Sequence, residues 1–336
     1  MRNTLFTLVV LSYFSASSLA ASPAEKIAAK PDAWFESDEG RRTMDTILSW
    51  QTEYGDWPKN MDTTTKPDAG EKRKPAGTFD NGATTGELRA LARAVRVTGD
   101  DRYERAFLKG FDHILQSQYP NGGWPQYYPL SKGYHRHVTF NDGSMVRLME
   151  FLRDATVQED FVFLDTARRA AATAAIDKGV ECIIRCQVIV DGVPTVWCAQ
   201  HHADSLVPVK ARSYEHPSLS GAESVGILLY LMSIESPDAD VVRAVKAGVA
   251  WIESARIEGY RYRKERTGPA LVKDPQARPL WARFYEIETN RPIFSDRDGI
   301  VKYDLEQIGS ERRGGYTWYG HWGDQAAEAF AKWPHR

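Results

Sequence analysis

A tryptophan recurs along this chain after the same kind of approach. Trp50-Gln51-Thr52-Glu53-Tyr54-Gly55-Asp56-Trp57-Pro58 is echoed by Leu115-Gln116-Ser117-Gln118-Tyr119-Pro120-Asn121-Gly122-Gly123-Trp124-Pro125. A looser copy runs from Cys186-Gln187 through Asp191-Gly192 to Trp197, and a fainter one from Trp251-Ile252 to Glu258-Gly259-Tyr260. Trp57, Trp124 and Trp197 are spaced 67 and 73 residues apart. Each copy reads as a helix end, a glycine-containing turn and a tryptophan. One unit of this size cannot bury its apolar face alone, so neighbouring copies must stack.

The other end of each repeat also recurs. Thr78-Phe79-Asp80-Asn81-Gly82-Ala83-Thr84, Thr139-Phe140-Asn141-Asp142-Gly143-Ser144 and Pro217-Ser218-Leu219-Ser220-Gly221-Ala222-Glu223 each precede an apolar run at helical spacing. Leu88, Leu91, Ala92 and Val95 follow the i, i+3, i+4, i+7 pattern. Asp, Asn and Ser ahead of such runs are good N-cap material. A second helix follows in each repeat, over 102–118, 167–186 and 241–254. The expected fold is mainly all-α: an (α/α) toroid or barrel of about three helical-hairpin repeats with long irregular loops. Strand signals are confined to a short hairpin over 187–190 and 195–197. Residues 58–78 and 257–323 read as loops, closed by a helix near 324–332.

Length and charge narrow the classes further. The chain has 336 residues and a net charge of −2, so no bulk basic field marks it for nucleic acid. Arg2, the apolar run 5–11 and Ser18-Leu19-Ala20 form the pattern of a secretory signal peptide over 1–20. A single exported domain over 21–336 is expected, secreted or periplasmic and a monomer, with no membrane-spanning helix. Cys182, Cys186 and Cys198 are too few and too odd in number for a disulfide framework. Cys182 and Cys186 share a helix face, where a bridge or two buried thiols would both fit.

In a ring, equivalent loops lie on one face, and the repeat places Asp80, Asp142 and the Ser218–Glu223 stretch at equivalent positions. Asp80-Asn81 and Asn141-Asp142 pair carboxylates with carboxamides, a ligand set for a hard cation such as Ca²⁺; capping two helices is the competing reading. Arg212, Arg283, Arg291 and Arg297 stand among aromatics and turn residues, where a guanidinium fork grips carboxylate or phosphate. An acidic polymer is the natural partner. His135, His137, His201, His202 and His216 are a further reserve of titratable groups.

At these residues the chain resembles the family 10 polysaccharide lyases, which are pectate lyases. The matching segments are 50–59, 78–91, 118–151, 197–202, 211–229 and 281–297, within a resemblance spanning about 30–323. The resemblance implies an (α/α) toroid-like fold and roles for individual residues. Arg212 matches the catalytic base. Asp80 and Asp142 match acidic residues of the calcium and substrate site. Arg283 and Arg297 match arginines that bind substrate carboxylates, and Asn81 is expected to bind substrate beside Asp80. The implied reaction is Ca²⁺-assisted β-elimination on polygalacturonate (pectate), giving 4,5-unsaturated products. Nearby Ca²⁺, Arg283 and Arg297 are expected to favour a neutral Arg212, and alkaline pH to assist. A pectin-directed glycoside hydrolase using Asp80 and Asp142, a non-catalytic pectin-binding protein and a terpene cyclase are the alternatives.

Overall fold

The computed structural model describes residues 22–66, 76–265 and 268–336. The signal-peptide pattern over 1–20 lies outside them. In chain order the helices are α1 (Pro23–Ala28), α2 (Asp32–Glu36), α3 (Asp38–Trp50), α4 (Thr85–Thr98), α5 (Asp101–Gln116), α6 (Ser144–Val157), α7 (Thr166–Cys186), α8 (Glu223–Met232), α9 (Ala239–Ser254), α10 (Ser310–Gly314) and α11 (Trp322–Lys332). They form the mainly helical (α/α) toroid. Outer helices α3, α5, α7 and α9 follow one another, and inner helices α4, α6 and α8 pack against their own partners and each other. α11 packs against α8 and α9. No helix among the described residues is long and apolar enough to cross a membrane.

The two sets of helices differ as their sequences require. On α5, Tyr103, Phe107, Phe111 and Ile114 are buried on one stripe. Inner α8 is buried almost all round, from Val225 to Leu231. Outer helices begin with caps: Asp100 Oδ1 accepts from Arg102 N (2.9 Å), Asp165 Oδ1 from Arg168 N (2.8 Å) and Asp238 Oδ1 from Val241 N (2.8 Å). At the inner helices the capping expectation fails for Asp80 and Asp142. Thr84 and Gly143 stand at the cap positions of α4 and α6, without a side-chain bond. At α8 the cap residue is Ala222, also without a side-chain bond, and Ser220 Oγ accepts from Glu223 N (3.1 Å) from two residues before it. The acids before α4 and α6 are therefore free for other work.

Each repeated residue of the turns has a structural task. The indole N–H of Trp57, Trp124, Trp197 and Trp281 donates to the carbonyl of Ile47, Ile114, Ile183 and Ile252 (2.7–3.0 Å). Trp281, not the segment ending at Tyr260, thus completes the fourth repeat. A hairpin (Tyr260–Glu265 with Gly268–Lys273) is inserted before it, which hides it from a search at fixed spacing. Gln51, Gln118 and Gln187 bridge to the next repeat: each Nε2 donates to a carbonyl of its own turn and to Ala106, Ala175 or Ala244 O (2.8–2.9 Å).

Short antiparallel ladders tie the loops of one face together. Val138–Thr139 pairs with Gln200–His201, Leu219–Ser220 with Phe284–Tyr285, and Trp281–Ala282 with Tyr319–Gly320. A hairpin forms near the expected one, but its second strand lies earlier than 195–197: Ile189–Val190 pairs with Val193–Pro194. All three cysteines are free and buried, with Cys182 and Cys186 Sγ 4.0 Å apart.

Candidate active site

The loops before the inner helices superimpose one residue differently from the sequence expectation. Asn81 and Asp142 both adopt a left-handed backbone, φ 53° and 50°, and each precedes a glycine in the same region. Asp80 is thus equivalent to Asn141, and Asn81 to Asp142. The two acids are neighbours, not repeats of one position. The left-handed turn suits Asn and Asp, which tolerate it better than other side chains.

Asp80 is 2% exposed. Its Oδ2 meets the Lys59 ammonium and accepts from Gln126 Nε2 (2.5 Å), while Oδ1 is buried without a partner. Burial lowers the Lys59 pKa, but the bond and charge of Asp80, with Tyr127 and Tyr134, together outweigh it and the net shift is upward. Asp142 Oδ2 accepts from Asn141 Nδ2 (2.7 Å), and its Oδ1 from Arg283 (3.0 Å). Asn141 Oδ1, like Asp80 Oδ1, is buried and unpaired.

Arg283 is the central strut. It leaves the loop before Phe284, bonds Asp142 and the buried Glu223, and lies 4.9 Å from the Tyr316 ring centroid. Burial works to lower its pKa, but Glu223 and Asp142 raise it further. Arg212 is more exposed, and Glu215 holds it at three points: backbone N (3.0 Å), Nε (2.8 Å) and an Nη (2.7 Å). Tyr316 Oη donates to the same carboxylate (2.8 Å). Arg212, Arg283 and Arg312 all pack around the Tyr316 ring, within 5.8 Å of its centroid. Burial pushes the Tyr316 hydroxyl far up, so it remains a donor. His135 joins the two groups: burial lowers its pKa, and it feels Lys59, Asp80 and Arg212.

The structure therefore brings Asp80, Asn81, Asp142, Arg212 and Arg283 to one face, with Arg297 at its rim. That side chain is 65% exposed on the rim, paired with Glu311 (3.0 Å). Glu215 works against the expected neutral form of Arg212. Burial lowers its pKa, but Glu215 prevails and raises it above the ordinary arginine range. His201 is structural: Nδ1 meets Leu206 O (2.7 Å), Nε2 accepts from Cys198 N (3.1 Å), and burial lowers it to about 4. Lys59, Gln126 and Tyr316 were not legible as site residues. Lys59 follows the repeated Trp-Pro, which was the available signal; Tyr316 had none.

A cation site has partial support. No group of three His, Cys, Asp or Glu that could hold a metal occurs among the described residues. The orphaned Asp80 Oδ1 and Asn141 Oδ1 are nevertheless hard oxygen donors, and burying them unpaired is costly. They fit a hard cation whose remaining ligands come from a bound anion.

A toroid of helical hairpins thus carries arginines, carboxylates and aromatic rings across one loop face. The pectic acid lyase family matches residues 51–327. A family 10 polysaccharide lyase from Cellvibrio cellulosa is 37% identical, with a TM-score of 0.81 over 94% of this chain and 98% of that one. A mutant of that lyase in complex with trigalacturonic acid matches equally, at 37% identity and TM-score 0.81 over 95% and 99%. No curated protein matches the chain significantly. The chain belongs to the family 10 polysaccharide lyases, the pectate lyases.

Proposed function

We propose that the protein is an exported, calcium-assisted pectate lyase that cleaves α-1,4-polygalacturonate by β-elimination, with Arg212 as base. The observation that carries this reading is the pairing of Arg212 and Arg283 with buried carboxylates around Tyr316, beside the unpaired oxygens of Asp80 and Asn141. A relative bound to trigalacturonic acid supports the same substrate class. Export rests on the pattern over residues 1–20.

The substrate's C5–H lies α to the uronate carboxylate. Arg283 and, once released from Glu311, Arg297 would bind uronate carboxylates, and Asn81 would orient the sugar by its carboxamide. An exposed pair such as Arg297–Glu311 is worth little, so substrate competes with it easily. Asp80, Asn141 and Asp142 would hold the calcium ion, which when bound offsets charge on the carboxylate. Arg212 takes the C5 proton, the C–H electron pair forms the C4–C5 double bond, and the C4–O bond breaks with its electrons on oxygen. That oxygen takes a proton from solvent. Glu215 fixes the direction of the guanidinium while raising its pKa, so the neutral base becomes more abundant only as pH rises.

Incubation with polygalacturonate at alkaline pH should produce conjugated-alkene absorbance that a chelator abolishes and Ca²⁺ restores. Arg212→Ala should remove at least about 10²-fold of kcat, the usual scale of general-base catalysis, while retaining oligogalacturonate binding. New reducing ends without the alkene band would establish hydrolysis instead, and an acid pH optimum would exclude Arg212 as base.

A further inference from the structure

The reaction above makes no use of a buried acid just beyond the loop of Asp80. Glu87 lies in the first turn of α4 and is 3% exposed. Its Oε1 accepts from Thr63 Oγ1 (2.8 Å), while Oε2 is shielded and meets no donor. Burial pushes the carboxyl up to about 7, and the charge of Glu25 on α1 adds to the rise. A buried carboxylate with a free oxygen is costly unless a cation comes to stand beside it.

The cavity that Glu87 lines is suited to such a cation. It measures about 420 Å³ and is shared with Asp62, a second acid. Two cations also line it, but neither serves Glu87: among the described residues, Lys59 is bonded to Asp80, and Arg147 pairs with neither acid. Ser22 and Pro23, where the described chain begins, line the same cavity. Their place is fixed. α1 packs along α4 with Ala24 fully buried, and Ser22 Oγ caps α1 by accepting from Glu25 N (3.1 Å). Ser22 also rests on the turn that carries Glu87, since a Cβ built on Gly86 would stand 2.4 Å from Ser22 Oγ. The leader pattern ends at Ala20, so cleavage there makes Ala21 the first residue. Its α-amino group is then one residue before Ser22, a Cα spacing of about 3.8 Å, and it is a cation at neutral pH.

We propose that this cavity seats the processed N-terminus: the α-ammonium of Ala21, created when residues 1–20 are removed, pairs with Glu87. The inference rests on the export reading above and is independent of the lyase chemistry. In the uncleaved chain, position 21 offers an uncharged amide instead. Glu87 in turn holds Thr63, whose loop brings Lys59 to Asp80 and Asn60 to Asn81 (3.1 Å). Processing thereby braces the loop face from behind.

The test uses the chain from Ala21, released from a carrier fusion with no residue added, and the same chain with a Gly-Ser extension before Ala21. Each is made with Glu87 and as Glu87→Gln. With Glu87 in place the extension should lower the thermal midpoint by about 2–4 °C; in Glu87→Gln it should lower it far less. An extension that costs nothing, or as much in both backgrounds, would overturn the pairing. A second measurement reads the charge itself. The Ala21 amine, carrying isotope-labelled methyl groups from reductive methylation, should titrate by NMR above the ordinary range of a peptide amine and return to it in Glu87→Gln. Ordinary titration in both chains would also reject the pair. N-terminal sequencing of the exported protein reads the cleavage separately. Ala21 as first residue agrees, and another first residue removes Ala21 as the occupant. A chain that is not exported fails the export reading alone, because the released Ala21 chain still tests Glu87.

Discussion

Glu215 acts on Arg212 in two opposed ways. Its buried carboxylate fixes the guanidinium through three hydrogen bonds, and Tyr316 locks the carboxylate in turn. The same charge holds the proton that a base must shed. The rising limb of kcat against pH reports the base in the substrate complex, and a raised pKa moves that limb to higher pH. Glu215→Gln keeps the shape and removes the charge, leaving burial as the larger influence, which lowers the Arg212 pKa. The limb should therefore move toward lower pH, while peak kcat falls through looser positioning. A limb that stays in place would make the pair purely structural and would weaken Arg212 as base.

At the scale of the element, the repeat is an interlock between a turn and the next outer helix. Gly110 on α5 is one place where this contact is close. A Cβ there would stand 2.7 Å from Gly55 O and 2.8 Å from Leu88 Cδ2. Backbone cannot yield as a side-chain tip does, so Gly110→Ala should cost about 1–3 kcal/mol by overpacking. Gly226 on α8 makes the contrast, since nothing lies within 4 Å of its built Cβ. Gly226→Ala should stabilise by about 0.5–1 kcal/mol, because alanine is the better helix former and restricts the unfolded chain. Urea melts of both variants separate the two cases. Equal effects would mean that the turn–helix contact does not govern stability. These glycines were visible in the sequence, but their opposite roles were not, because a neighbour distant in the chain decides them.

Across the whole molecule, the segment after α9 converts a stack of hairpins into a site. It supplies Arg283, Arg312 and Tyr316, and Arg283 joins it to Asp142 before α6 and to Glu223 at the start of α8. Arg283→Met would strand Glu223, whose side chain is 2% exposed, without its cation. That should cost about 3–5 kcal/mol, the scale of breaking a buried pair from one side. Adding Glu223→Gln should recover part of the stability without restoring turnover. A double variant no more stable than Arg283→Met alone would show that the pair is not what holds this segment. The sequence by itself determined the hairpin period, the outer and inner helices and the residue types on the loop face. Repeated Trp, Gln and Gly read out local geometry that recurs with the chain. A family pattern in the sequence also pointed to Asp80, Asn81, Asp142, Arg212 and Arg283 as candidate site residues. Only the tertiary structure decided that Asp80 aligns with Asn141, that Trp281 closes the fourth repeat and that Arg297 stays on the rim. It alone decided, too, that Glu215 and Tyr316 hold Arg212. Those outcomes depend on contacts between residues up to 141 positions apart, such as Asp142 and Arg283, and on burial, neither of which is encoded in any one stretch of chain.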